Sequence, residues 1–184
     1  NLLMQTVPGY RRQILSVSAT AVGEECQLEW VGTRLDITQG TFQITQRPFD
    51  LSISGPGWFV VSLDDEQLYT RNGNFSLDPE GRLGLLTPRG FAPLVPTVVI
   101  PETTQRITFQ SNGSMHASED GDGESKVVGQ IEVVSFLDDA ALRLHASGCY
   151  RTTPETGAHC KLLSQGTKSS TVQIRSGMLE RSNI

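Results

Sequence analysis

His145, Cys149, His159 and Cys160 place two imidazoles and two thiols in one short stretch, the donor set that tetrahedral zinc takes. Structural zinc sites draw their ligands from tight pairs, whereas adjacent His159 and Cys160 point to opposite sides of an extended chain. Unrelated thiols and surface imidazoles are the better reading. Cys149 and Cys160 could instead close a disulfide worth about 2–3 kcal/mol through loop entropy. Cys26 would be left over, so three cysteines do not identify a redox compartment. A Cys–His nucleophile pair needs a base within reach and a group to orient it, and none of His116, His145 and His159 sits in a recognisable elbow. Asp64-Asp65-Glu66 offers carboxylates for acid–base work but falls in a predicted turn, where acidic residues form a solvated loop tip. Glu119, Asp120, Asp122 and Glu124 resemble a calcium loop. Counting Asp120 as position one, however, puts Ser125 at the glycine position and Ile131 at that of the bidentate Glu. No phosphate-cradling glycine motif is present. These residues predict no catalytic group, no metal and no cofactor.

The elements that would position any site read as β structure. The chain has 184 residues, enough for one domain, and it needs no metal or disulfide scaffold to fold. Lys plus Arg number 15 against 20 Asp plus Glu, a net charge of −5 with no basic block, which argues against nucleic acid as a partner. No apolar run is long enough to span a membrane, so no membrane insertion is expected. Asn1 to Tyr10 lacks the basic start and apolar core of a secretory signal, and the absence of an initiator Met suggests a trimmed chain.

Turn chemistry divides the middle of the sequence. Leu51 to Ile53 and Trp58 to Leu63 read as a strand pair around Gly55-Pro56-Gly57. Leu68 to Thr70 and Phe75 to Leu77 flank Arg71-Asn72-Gly73-Asn74, whose Asn-Gly predicts a hairpin. Leu77 to Leu86 fold around Asp78-Pro79-Glu80-Gly81, and Ile107 to Phe109 with Met115 to Ala117 around Ser111-Asn112-Gly113. Val127 to Phe136 alternates as the longest strong strand, with one end apolar on both faces and hence buried on both sides. Asp138 to His145 is the one interior helix expected, capped by Asp139. Val172, Ile174 and Met178 predict a last strand broken at Gly177. Gly9 to Glu25, Glu119 to Ser125 and Arg151 to Ser170 read as loops. The aromatics Trp58, Phe59, Tyr69, Phe75, Phe91 and Phe109 fall on predicted strands and are expected in the core. The fold class is therefore mainly β: a turn-rich antiparallel meander, sandwich-like or barrel-like, with at most one or two short helices.

Two stretches carry a resemblance. Phe49-Asp50-Leu51-Ser52-Ile53-Ser54-Gly55-Pro56-Gly57-Trp58-Phe59 leads into Tyr69-Thr70-Arg71-Asn72-Gly73-Asn74-Phe75 and Asp78-Pro79-Glu80-Gly81-Arg82-Leu83, and far downstream stands Gly177-Met178-Leu179-Glu180-Arg181-Ser182-Asn183-Ile184. In type, order and spacing these resemble the signature of the bacterial flagellar rod and hook proteins, over most of residues 36–184. Leu2-Leu3-Met4-Gln5-Thr6 is similar to the segment that follows the N-terminal helix of distal-rod members, and no large inserted outer domain of the hook kind is present. Trp58 stands where the family usually has Phe or Tyr, and Arg181 where a small residue is common.

The resemblance implies a structural axial subunit of the flagellar basal body, best matched to the distal rod, with proximal rod or hook-like subunits as the alternative. It implies export through the flagellar secretion channel. It also implies assembly with copies of itself into a hollow, torque-transmitting helical tube, and with neighbouring rod and hook proteins and the surrounding ring proteins. Residues 1–35 would be an irregular extension after a missing N-terminal helix, and 36–184 the middle domain, soluble and largely monomeric on its own. Gly55, Gly57, Gly73 and Gly81 would set turns, and Phe59, Tyr69, Phe75 and Leu83 would fill the core. Asp50, Arg71 and Asp78, beside Thr70, would tie the turns, and Gly177, Leu179, Glu180, Ser182 and Asn183 would lead the chain back toward the tube. A carbohydrate- or peptidoglycan-binding β module is the rival reading, which Trp58 on an exposed face would support.

Overall fold

The computed structural model describes residues 5–22, 25–119, 125–163 and 171–184, with the backbone alone for 16–22 and 25–31. The chain is mainly β, as the turn pattern predicts, and every paired strand runs antiparallel to its partner. Among the described residues no sheet closes into a barrel. The first strands are β1 (Gln13–Val22), β2 (Glu25–Leu35), β3 (Phe42–Ile44), β4 (Leu51–Ser54), β5 (Trp58–Leu63) and β6 (Glu66–Thr70). They are followed by β7 (Phe75–Leu77), β8 (Leu83–Thr87), β9 (Gly90–Pro93), β10 (Arg106–Phe109), β11 (Ser114–Ser118) and β12 (Lys126–Gln130). The last six are β13 (Val133–Phe136), β14 (Arg143–Leu144), β15 (Tyr150–Arg151), β16 (His159–Leu163), β17 (Gln173–Ser176) and β18 (Met178–Glu180).

Two local hairpins follow the turn residues directly. β7 pairs with β8 across Asp78–Gly81, where Gly81 adopts φ 74° and Asp78 Oδ1 accepts hydrogen bonds from the amides of Glu80 and Arg82. β10 pairs with β11 across Ser111–Gly113, with Gly113 at φ 85°. The final strand breaks at Gly177, φ 72°, into β17, which pairs with β4, and β18, which pairs with β3.

Other sequence expectations are overturned, each for a packing reason. Gly9 to Glu25 is not a loop throughout: residues 13–22 form β1, which pairs with β2 from Gln13 opposite Leu35 to Val22 opposite Glu25. Ser, Ala and Thr carry too little apolar area to show a period of two. The stretch is nevertheless free of Pro and rich in β-branched residues, and the ladder pairs its backbone. β4 and β5 do not pair. The positive φ of Gly55 (105°) and Gly57 (108°) turns the chain out of one sheet, so that β4 joins β17 while β5 sits between β6 and β13.

β6 and β7 do not form the Asn-Gly hairpin either. Asn72 caps a local turn by accepting from the Asn74 amide, and β7 turns to β8 instead. The expected long strand 127–136 is two strands in two sheets. The Ile131 amide makes the last bond on the β11 side, to the Gly113 carbonyl at 2.8 Å, and from Val133 the chain pairs with β5 and β16 instead. The interior helix shrinks to a 3-10 turn at Asp139–Ala141, because the Asp139 carboxylate accepts from the Phe136 amide and the Ser135 hydroxyl rather than capping a helix. Arg151 to Ser170 contains the edge strand β16, paired with β13; residues 164–170 lie outside the described set, as do 120–124 of the predicted acidic loop.

The core is two apolar clusters on opposite faces of the six-stranded sheet, whose order is β14-β15-β6-β5-β13-β16. Alternation along β5 and β13 sends Phe59, Val61 and Val133 to one side with Leu51, Phe75, Leu83 and Ile174. It sends Trp58, Val60 and Val134 to the other with Leu35, Tyr69, Leu142 and Tyr150. The expected burial of one end of 127–136 on both sides is met at Val133 and Val134.

Candidate functional site

The strongest constellation in the structure is not among the metal-type residues. Cys149 is buried and Cys160 exposed, both as free thiols, and Cys26 has no described side chain. The His145 Nδ1 sits 2.9 Å from the Ser147 hydroxyl, and His159 packs against the edge of Phe136. Among the described residues no three His, Cys, Asp or Glu side chains converge as a metal site would require. Asp64 and Asp65 form the tip of the β5–β6 hairpin with φ of 52° and 62°, and Arg89 reaches Asp64 at 3.2 Å across solvent-exposed side chains.

The motif residues meet instead around a buried ion triad. Arg71 leaves the end of β6 and Glu180 ends β18, 109 residues away, yet Arg71 Nη1 lies 3.3 Å from Glu180 Oε2. The other carboxylate oxygen lies 2.7 Å from Arg11 Nη2 and accepts from the Gly40 amide at 2.8 Å. Arg11 and Glu180 are fully buried and Arg71 nearly so. Arg71 also donates to the carbonyls of Ile53 and Gly55, which pins the Gly55–Gly57 corner, and its guanidinium lies 5.9 Å from the Trp58 ring centre. Burial draws the Arg71 pKa down to about 10 while the Glu180 carboxylate holds it up; at neutral pH the guanidinium stays charged.

The remaining motif positions sort themselves around this triad. Thr70, buried, accepts from the Asn72 amide through its hydroxyl. Asp50 ties the chain through its backbone, its carbonyl accepting from the Gly177 amide; its carboxylate is buried, with Arg47 Nε at 3.8 Å. Phe59 and Phe75 stack edge-on at 5.1 Å, Tyr69 meets Phe136 at 4.7 Å, and Leu83 is fully buried. Leu179 is buried, and Ser182, whose hydroxyl is buried without a hydrogen-bond partner among the described residues, lines a small cleft of about 130 Å³ together with residues 5–8 and 179–181. The Asn183 side chain donates to the carbonyls of Asp36 and Thr38 and accepts from the Arg12 amide. Asp78 and Gly81 stand apart from the triad, at the β7–β8 turn.

Arg11 is the member that sequence reasoning missed: one of two adjacent Arg residues in a stretch that reads as a loop, it carries no signal of its destination. Trp58 also departs from one expectation, since at 2 % exposure it offers no face to a sugar and packs on Tyr150 with ring centres 5.2 Å apart.

Burial pushes the phenols of Tyr10, Tyr69 and Tyr150 above their ordinary value near 10, Tyr150 most strongly. A raised folded pKa means stability held below pH about 10 and lost as the pH climbs through the folded values. Tyrosinate absorbance should therefore stay low past pH 10 and rise together with loss of secondary structure. A free titration near pH 10 in the folded protein would contradict this.

The arrangement brings segments 9–12 and 180–183 side by side onto one β body; Arg71 and residues 180–183 lie on the signature stretches, whereas residues 9–12 do not. The profile of the flagellar hook protein FlgE/F/G D1 domain matches residues 52–117. The chain is 30 % identical to the flagellar basal-body rod protein FlgF of Escherichia coli strain K12 over 192 aligned residues, covering 100 % of this chain and 74 % of the relative. The chain belongs to the flagellar rod and hook protein family. It is also 33 % identical to the rod protein FlgG of Caulobacter vibrioides over 65 % of this chain and 45 % of the relative. With FlgG of Bacillus subtilis strain 168 it shares 34 % over 77 % of this chain and 53 % of the relative. The chain thus spans about half the length of these FlgG relatives. Family membership places it in the flagellar basal body. Among the described residues no helix is long and apolar enough to cross a membrane.

Proposed function

We propose that this chain is the middle part of a structural subunit of the flagellar rod, of the distal kind, rather than an enzyme. The observation that carries the reading is the side-by-side seating of residues 9–12 and 180–183 by the Arg11–Glu180–Arg71 triad. A subunit whose two ends depart together from one face can place both in a common inner layer while its β body faces outward. Repeated head-to-tail contacts of such a unit do not close, and they build a helical tube. Residues 36–184 are the middle domain in this reading. Gly55, Gly57, Gly73 and Gly81 shape its turns, and Leu179, Glu180, Ser182 and Asn183 carry the chain toward the inner layer. The partners are copies of the same subunit, adjoining rod and hook proteins and the surrounding rings, reached after export through the flagellar channel. The distal assignment leans on Leu2–Thr6 and on the lack of a large outer insertion.

The test is deletion of the gene, with gold-labelled antibody against this domain on basal bodies from the parent. Basal bodies lacking the rod segment nearest the hook, and label at that level in the parent, are expected. Label at the opposite end of the rod would reassign the subunit to the proximal segment, and complete basal bodies without the protein would end the rod reading.

A further inference from the structure

The end segments are held to the body in a different way from the rest of the chain. Neither apolar cluster contains a residue from 5–12, 36–46 or 175–184. Tyr10 and Leu179, the buried apolar side chains of these segments, lie outside both clusters. What joins them is polar. The Gly9 amide donates to the Glu180 carbonyl at 2.8 Å, the Arg181 amide to Thr41, and the Arg12 amide to the Asn183 side chain, which in turn donates to Asp36 and Thr38. Glu180 is at the centre, touching Arg11 on one side and Arg71 on the other. Arg71 belongs to the body, where Ile53 and Gly55 hold it; two further polar ties reach the body, from the Arg11 amide to the Tyr150 hydroxyl at 2.8 Å and between the Gln39 side chain and the Ile53 carbonyl and Gly55 amide.

Two guanidiniums share this one carboxylate out of contact with water, and both Nε groups have no hydrogen-bond partner among the described residues. Such a junction depends on its anion: without it, two desolvated cations face each other. Segments fastened by polar contacts outside a core form the low-stability units that open locally while the core stays folded.

We propose that residues 9–12, 36–41 and 178–183 form a polar strap that opens and recloses as one unit, with Glu180 as the positioning residue that pins it to Arg71. Closed, the strap fixes the two ends side by side; open, it frees both while the β body persists. The strap is a property of the domain itself and holds whichever segment of the rod the subunit builds.

Native-state hydrogen exchange on the 184-residue chain tests it. The amides of Gly9, Gly40 and Arg181 report the strap, and those of Leu83, Leu94 and Ile174, which donate to Val98, Leu83 and Ser111, report the core. In the parent the strap amides should exchange with one common rate, about 10-fold or more faster than the core amides. Glu180→Gln should speed the strap amides about 100-fold and leave the core within about 3-fold. Asn183→Ala, which removes the contacts to Arg12, Asp36 and Thr38 without touching the triad, should speed Gly9 and Arg181 by the same factor as Gly40. Core amides that accelerate in step, a Glu180→Gln chain that fails to fold, or strap amides that respond singly or not at all would each overturn the proposal.

Discussion

Trp58→Ala should cost this domain about 3–5 kcal/mol, the range for emptying a large aromatic site in a core. Trp58 is buried at 2 % exposure, starts β5 in the middle of the six-stranded sheet, and stacks on Tyr150. Its removal opens a cavity among Leu35, Val60, Val134 and Leu142 and takes the ring away from the Arg71 guanidinium. For a domain of this size the loss corresponds to roughly 10 °C in Tm. Urea denaturation followed by far-ultraviolet circular dichroism checks it, because the signal does not depend on the deleted indole. Trp58→Phe, the ring type usual for the family here, keeps the stack and should cost about 1–2 kcal/mol. A Trp58→Ala protein of unchanged midpoint would mean that the indole is a surface group, and would revive the glycan-binding reading.

Gly73→Ala should cost about 3 kcal/mol, at the top of the overpacking range. Gly73 does not have a positive φ, so the usual argument from turn conformation does not apply. The backbone approaches so closely that an added Cβ would stand 1.7 Å from the Leu51 carbonyl oxygen, whose residue in turn donates its amide to Gly73. That oxygen belongs to β4, one of the most buried strands, and cannot give way without moving Leu51 and Ile53 in the core. Asn72→Ala, next door, loses one turn hydrogen bond and should cost about 1 kcal/mol. If the two variants melted together, the close approach would not be what requires glycine at this position.

The Gly73 case separates what is legible in a sequence from what is not. Asn72-Gly73 reads as a hairpin, and the chemistry of the pair is right for a turn: Asn72 does cap one. The flanking strands nevertheless find other partners, because pairing is settled by which faces can be buried together, and β7 buries Phe75 against Phe59 by turning to β8. Likewise the long alternating run from Val127 was visible as extended chain. Its division between two sheets depends on which strands lie beside each half: β11 beside β12, and β5 and β16 beside β13.

The sequence alone determined the β class, the hairpin turns at 78–81 and 111–113, the break at Gly177, the double burial of Val133 and Val134, and the family signature. All of these rest on periodicity or on the φ preferences of a few adjacent residues, which act within a single turn or strand. Tertiary structure alone decided that β1 and β2 form a hairpin from weakly apolar residues, that β4 and β5 part company, and that Arg11 and Arg71 close on Glu180. A charge in isolation carries no record of its partner. Its place in the interior is fixed only when distant segments have excluded water around it, which makes pairing with an opposite charge the one inexpensive arrangement left.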